Sequence, residues 1–128
     1  MTTQIKYFTP DEARRTLPLV RKIVKDILET GRQMRLIADE LLDDSYNNSE
    51  FIRLAELMNS YLAELEEIGC YYKDSEFSQA LVDFPAIIDG KDVFLCWKSD
   101  EEDIIYYHET DAGFRGRKLI PRQYLNKN

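Results

Sequence analysis

Along the first half of the chain, apolar residues recur at steps near three and four, the spacing that collects side chains on one face of a helix. Ala13, Leu17, Val20, Val24, Ile27, Met34, Ile37 or Ala38, and Leu41 form one such stripe, with Gly31 filling the gap after Ile27. Its start is well marked. Thr9 can cap, Pro10 suits the first helical position, and Glu12 stands where a capping box needs an acceptor. Phe8 and Ala13 are placed as a weak hydrophobic staple across that cap. Pro18 deletes one backbone hydrogen bond inside the stripe and predicts a kink between Arg14 and Pro18, costing about 3 kcal/mol against an unbroken helix. The polar run Asp43 to Ser49 interrupts the period, which Phe51, Leu54 or Ala55, Met58, Leu62, Leu65 and Ile68 restart. Asn48 or Ser49 caps this second helix and Gly69 ends it. A connection as short as Asp43 to Asn48 turns the chain back antiparallel, so that the two stripes face each other in a helical hairpin.

Past Gly69 the period changes to alternation, and β-branched and aromatic residues replace the Leu, Glu and Lys of the helices. Strands are expected over Leu81 to Ile88, Asp92 to Lys98 and Ile104 to Glu109, with a further one possible over Cys70 to Lys73. Asp89-Gly90 is a strong hairpin signal, because a type I′ turn needs positive φ at both central positions. Pairing around it sets Ala86 opposite Val93, Phe84 opposite Leu95, Val82 opposite Trp97 and Asp83 opposite Cys96. With Glu101 and Glu102 as the second turn, Trp97 faces Tyr106 and Leu95 faces His108. One sheet face then carries Val82, Phe84, Ala86, Val93, Leu95, Trp97, Tyr106 and His108, and is the better core; the other carries Asp83, Phe94, Cys96, Tyr107 and Glu109. A slip of one residue in the acidic second turn moves His108 to the opposite face.

The fold class that results is α+β: a long antiparallel helical hairpin on a small three- to four-stranded antiparallel β-meander. A single domain is expected over residues 1–128, with the hairpin in 9–69 and the meander, a glycine-rich basic loop and the tail in 70–128. The chain has 128 residues, 44% of them hydrophobic, enough for one modest core. A net charge of -7 opposes nonspecific binding to nucleic acid or to anionic lipid. No stretch approaches the roughly 18 apolar residues of a membrane span and the amino terminus lacks a secretory pattern, so a soluble cytoplasmic protein is expected. Cys70 and Cys96 lack a CxxC or a histidine-rich partner, which excludes a zinc ribbon or a thioredoxin motif.

Candidate chemistry gathers between Val82 and Arg117, a stretch holding the only histidine and the only tryptophan. Asp83, His108 and Asp111 are candidate metal ligands, since carboxylates and imidazole suit a divalent ion; the spacing matches no zincin motif. Cys96, placed mid-strand between Leu95 and Trp97, is a poor nucleophile because burial hides the thiol and raises its pKa. Gly113-Phe114-Arg115-Gly116-Arg117-Lys118 puts three cations in a loop whose glycines allow a backbone nest, and arginine's planar fork fits carboxylate or phosphate. A small anionic ligand would then sit between Trp97 and Tyr106, with His108 and Asp111 at the mouth and Arg115 or Arg117 as the positive charge. The competing reading is that these arginines pair with the protein's own carboxylates or with a second subunit's.

FTPDEARRTLP from Phe8 to Pro18, LVDFPA from Leu81 to Ala86 with Gly90, Leu95-Cys96-Trp97, and Tyr107-His108-Glu109 followed by Gly113 to Arg117 together resemble a family of uncharacterised bacterial proteins, domain of unknown function 2203. The likeness spans nearly the whole chain. It implies a single cytosolic bacterial domain, and it implies no activity, cofactor or catalytic residue, so enzyme status stays open. Two classes of function are compatible with the residues. The first is a non-catalytic homodimeric interaction module, favoured because the helical stripes are longer than a small sheet can cover. The second is an anionic-ligand-binding or metal-dependent protein with its site near His108, Asp111 and Arg115.

Overall fold

A computed structural model describes residues 4–76 and 79–125 of the chain. Helix α1 spans Pro10–Leu41 and α2 spans Ser49–Ile68, joined by a 3-10 segment, Leu42–Asn47. The capping box forms as its residues dictate: Thr9 Oγ1 accepts from the Glu12 N–H at 3.0 Å, and Glu12 Oε1 accepts from the Thr9 N–H at 2.9 Å. Phe8 and Ala13 on either side of the cap are buried in one core. α1 is continuous through Pro18, which lies on its exposed side, where water can serve the carbonyl that proline leaves without a donor. Asn48 Oδ1 accepts from the Phe51 N–H at 2.9 Å and starts α2. Gly69 ends it in the left-handed region at φ 106°, and a Cβ there would stand 3.1 Å from Lys6 Cβ.

Among the described residues five strands follow: β1 (Tyr71–Glu76), β2 (Gln79–Ile88), β3 (Lys91–Lys98), β4 (Tyr106–Glu109) and β5 (Lys118–Leu119), before a short helix α3 (Arg122–Leu125). They lie side by side in chain order, every pair antiparallel. The expectation of three to four strands therefore needs correction, since Lys118–Leu119 adds an edge to β4. Two residues carry no period that a sequence could display. Nor are the helices a matched hairpin: α1 has 32 residues and α2 has 20. No helix among the described residues is long and apolar enough to cross a membrane.

The first hairpin is built as its turn demands. Asp89 and Gly90 take φ of 52° and 78°, and β2 pairs with β3 with Asp83 opposite Cys96, Phe84 opposite Leu95 and Val82 opposite Trp97. The inner face of these strands packs Val82, Phe84, Ala86, Val93, Leu95 and Trp97 against Leu17, Val20, Val24 and Ile27 of α1. α1 buries nothing beyond Gly31.

The second hairpin differs by one residue from the pairing expected with Glu101 and Glu102 as its turn. Tyr106 faces Cys96, Tyr107 faces Leu95 and His108 faces Phe94, so His108 and Tyr106 lie on the outer face and Tyr107 packs on the core. The cause is a longer connection tied to its surroundings. Trp97 Nε1 donates to the Glu101 carbonyl at 2.9 Å, Arg14 clamps Asp103 at 2.6 Å, and Arg21 donates to the Glu102 carbonyl at 2.8 Å. Ile104 is drawn into the core by this path and takes the place that alternation back from Tyr107 would assign to Ile105.

Candidate functional site

On the outer face of the sheet, away from α1, three polar or sulfur-bearing side chains are almost fully buried. Asp83 on β2, Cys96 on β3 and His108 on β4 are 1%, 1% and 2% exposed. Alternation along three adjacent strands puts all of them on one side, and their candidate ligand atoms all lie within 4.8 Å of one another. Phe94 shields the histidine from one flank, its ring 5.6 Å from the imidazole, and Tyr71 stands edge-on to Phe94 at 6.2 Å.

Hydrogen-bond arithmetic at His108 is restrictive. Its Nδ1 lies 2.8 Å from the Glu109 carbonyl oxygen, which can only accept, so Nδ1 donates. In a neutral ring Nε2 then carries a lone pair, and 3.1 Å away it meets Asp83 Oδ1, also an acceptor when ionised. Something positive must lie between them, a shared proton or a cation. Among the described residues the other oxygen, Oδ2, has no hydrogen-bond partner, although Lys73 Nζ approaches it within 3.2 Å as a charge neighbour. Burial pushes the Cys96 thiol up to about 12, with the Asp83 carboxylate adding to the rise and Arg117 opposing it. Without a metal, Cys96 is a thiol and an inert one.

The remaining sequence candidates do not gather here. Trp97 is fully buried on the inner face, opposite in orientation to Tyr106, so the two cannot wall one pocket as the expected pairing required. Trp97 instead borders a cleft of about 310 Å³ between α1 and β3, beneath the Arg21 guanidinium 5.2 Å from its ring. Asp111 is exposed in the turn after β4 and lies outside the cluster, where Cys96 takes the third place. Arg115 is exposed at the tip of the basic loop. Arg117 is committed internally: both Glu101 oxygens accept from its Nη2, at 2.7 and 2.6 Å, and its guanidinium stacks 4.0 Å from the Tyr106 ring and 4.8 Å from that of Phe114. Nothing in the sequence marks Lys73, and Cys96 reads there only as a poor nucleophile. Pairing Asp83 with Cys96 was already legible, and only the parity of β4 hid the third member.

Neither a curated protein nor a solved structure matches the chain. A family model described as "Uncharacterized conserved protein (DUF2203)" matches residues 6–120, and the chain belongs to that family.

Proposed function

We infer that the protein is a non-catalytic interaction module working as a homodimer, and that the outer part of the α1–α2 pair is the self-pairing surface. The observation that carries this reading is the change in burial along α1. Its stripe is buried as far as Gly31; beyond it Met34, Ile37, Ala38 and Leu41 are only half-buried, and Leu36 is exposed. Leu42 and Tyr46 at the tip are 72% and 73% exposed. Two helices face each other there without a sheet beneath them, and a second such pair would complete a four-helix bundle. Charge suits a second copy: a twofold that runs the arms in opposite directions brings Asp43 and Asp44 of one toward Arg32 and Arg35 of the other, whose own ion pairs with Glu29 and Asp39 are exposed and weak.

Fully burying a large aliphatic side chain contributes about 1.5–3 kcal/mol. In a twofold interface each contact occurs twice, which can exceed association costs of about 4–15 kcal/mol by enough for micromolar pairing. Light scattering across micromolar concentrations should therefore report a dimer mass. The double substitution Leu36→Glu and Leu42→Glu should give a monomer with an unchanged circular dichroism spectrum. A wild-type monomer throughout that range defeats the reading. The alternative, a small anionic ligand held near His108, Asp111 and Arg115, has less support, because His108 is buried and Arg117 already binds Glu101.

A further inference from the structure

We propose that Asp83, Cys96 and His108 form a three-ligand site for a divalent metal of the zinc class, one ligand from each of three neighbouring strands. The donor set of carboxylate oxygen, thiolate sulfur and imidazole nitrogen suits zinc or cobalt(II), and does not suit magnesium or calcium, which take oxygen alone. Three protein ligands leave a fourth position for water or an exchangeable small ligand.

The arrangement around His108 is the one a ligating imidazole needs. Nδ1–H is fixed on the Glu109 carbonyl at 2.8 Å, which selects the tautomer and aims the Nε2 lone pair into the cluster. Asp83 Oδ1 at 3.1 Å from Nε2 matches the separation of roughly 3.3 Å between two such ligands on a tetrahedral ion. Sulfur and nitrogen on the same ion stand about 3.6 Å apart, against an upper limit of 4.8 Å here, so at most a rotamer adjustment of Cys96 closes the site. A metal would also answer the acceptor-to-acceptor contact between His108 and Asp83 without a trapped proton.

Lys73 presents the counter-argument, since its ammonium 3.2 Å from Asp83 Oδ2 opposes a second cation. It stands on the oxygen away from His108, however, and loss of the Cys96 proton on coordination supplies a compensating negative charge. Lys73 then holds the carboxylate from outside while Oδ1 binds.

The test uses the full chain, stripped of metal and titrated with cobalt(II) by absorption and with zinc by calorimetry. One saturable equivalent is expected, together with a thiolate-to-cobalt charge-transfer band and intense tetrahedral ligand-field bands. Cys70 is the only other thiol, buried with its Sγ donating to the Leu65 carbonyl, so Cys70→Ser should keep the band. Cys96→Ser, nearly isosteric, should abolish it, and both Cys96→Ser and His108→Gln should weaken zinc binding by more than about tenfold. No charge-transfer band in the folded wild type overturns the proposal. So does binding that Cys96→Ser and His108→Gln leave unchanged, which assigns the ion to exposed carboxylates. The wild-type spectrum decides even if a variant fails to fold.

Discussion

Replacing Asp83 distinguishes hydrogen-bond geometry from charge as the means by which the middle of the outer face is held. In the metal-free protein Nδ1 of His108 donates to the Glu109 carbonyl, so a neutral ring turns a lone pair toward Asp83. A carboxylate cannot satisfy that lone pair unless a proton is shared, whereas an amide N–H can. Asp83→Asn therefore restores a conventional donor and acceptor at 3.1 Å, while Asp83→Ala leaves Nε2 buried without a partner. Leaving a buried neutral acceptor without a partner costs about 1–3 kcal/mol. A net hydrogen bond retained by asparagine is worth about 1 kcal/mol. The lost attraction to Lys73, whose side chain is 53% exposed, is discounted by solvent screening to about 0–1 kcal/mol. The alanine variant should thus lose about 1–3 kcal/mol and the asparagine variant about 1 kcal/mol or less. Urea denaturation followed by the fluorescence of Trp97, the sole tryptophan, measures both, with a chelator present so that metal plays no part. Equal losses for the two variants would refute the hydrogen-bond arithmetic and make charge the dominant factor. A loss well under 1 kcal/mol for alanine would show that the cluster is not under tension to be satisfied.

Sequence pattern decided most of the fold because its local signals agree. The Thr9 and Glu12 capping box, the Asn48 cap, the Gly69 terminus and the Asp89-Gly90 turn each act through a few neighbouring residues, and each forms as its chemistry requires. The β2–β3 register followed directly, since a two-residue turn fixes it. What was not legible depends on contacts distant in sequence. Arg14 and Arg21 on α1 reach across to the connection after β3, and no property of Ser99 to Ile105 alone announces that Ile104 and Tyr107, which alternation would put on opposite faces, both turn to the core. One residue of slack there reverses both faces of β4, which is why His108 was assigned to the core side while Asp83 and Cys96 were assigned to the other. The same error hid the buried triad and suggested a Trp97–Tyr106 pocket. Arg117 illustrates a related limit: composition shows three cations in a loop, and only tertiary structure reveals that Glu101, Tyr106 and Phe114 take up one of them.

The basic loop should divide into structural and dispensable charges. Arg117→Ala should cost about 2 kcal/mol in urea denaturation, a buried-pair loss discounted for partial exposure, while exposed Arg115→Ala should stay within about 0.5 kcal/mol. Equal effects would contradict the stacked, bidentate role of Arg117. The cysteines make a prediction in alkaline solution. Burial pushes Cys70 and Cys96 each up to about 12, so neither should be alkylated in the native protein near neutral pH, and both should react once it is unfolded. The unfolded chain releases these protons near pH 8.5, whereas the folded protein keeps them until about 12. Between those limits the native state binds more protons than the unfolded one, so stability is full below the lower limit and declines as pH rises toward the upper. Each thiol contributes a slope of up to about 1.4 kcal/mol per pH unit in that window. Removing one titrating thiol with Cys70→Ala should lower stability at neutral pH through lost packing, yet make its further decline from pH 9 to 11 shallower than in the wild type, compared by urea denaturation at matched ionic strength. Parallel declines would mean that the folded protein admits water or hydroxide to Cys70, contrary to its complete burial between α2 and β1.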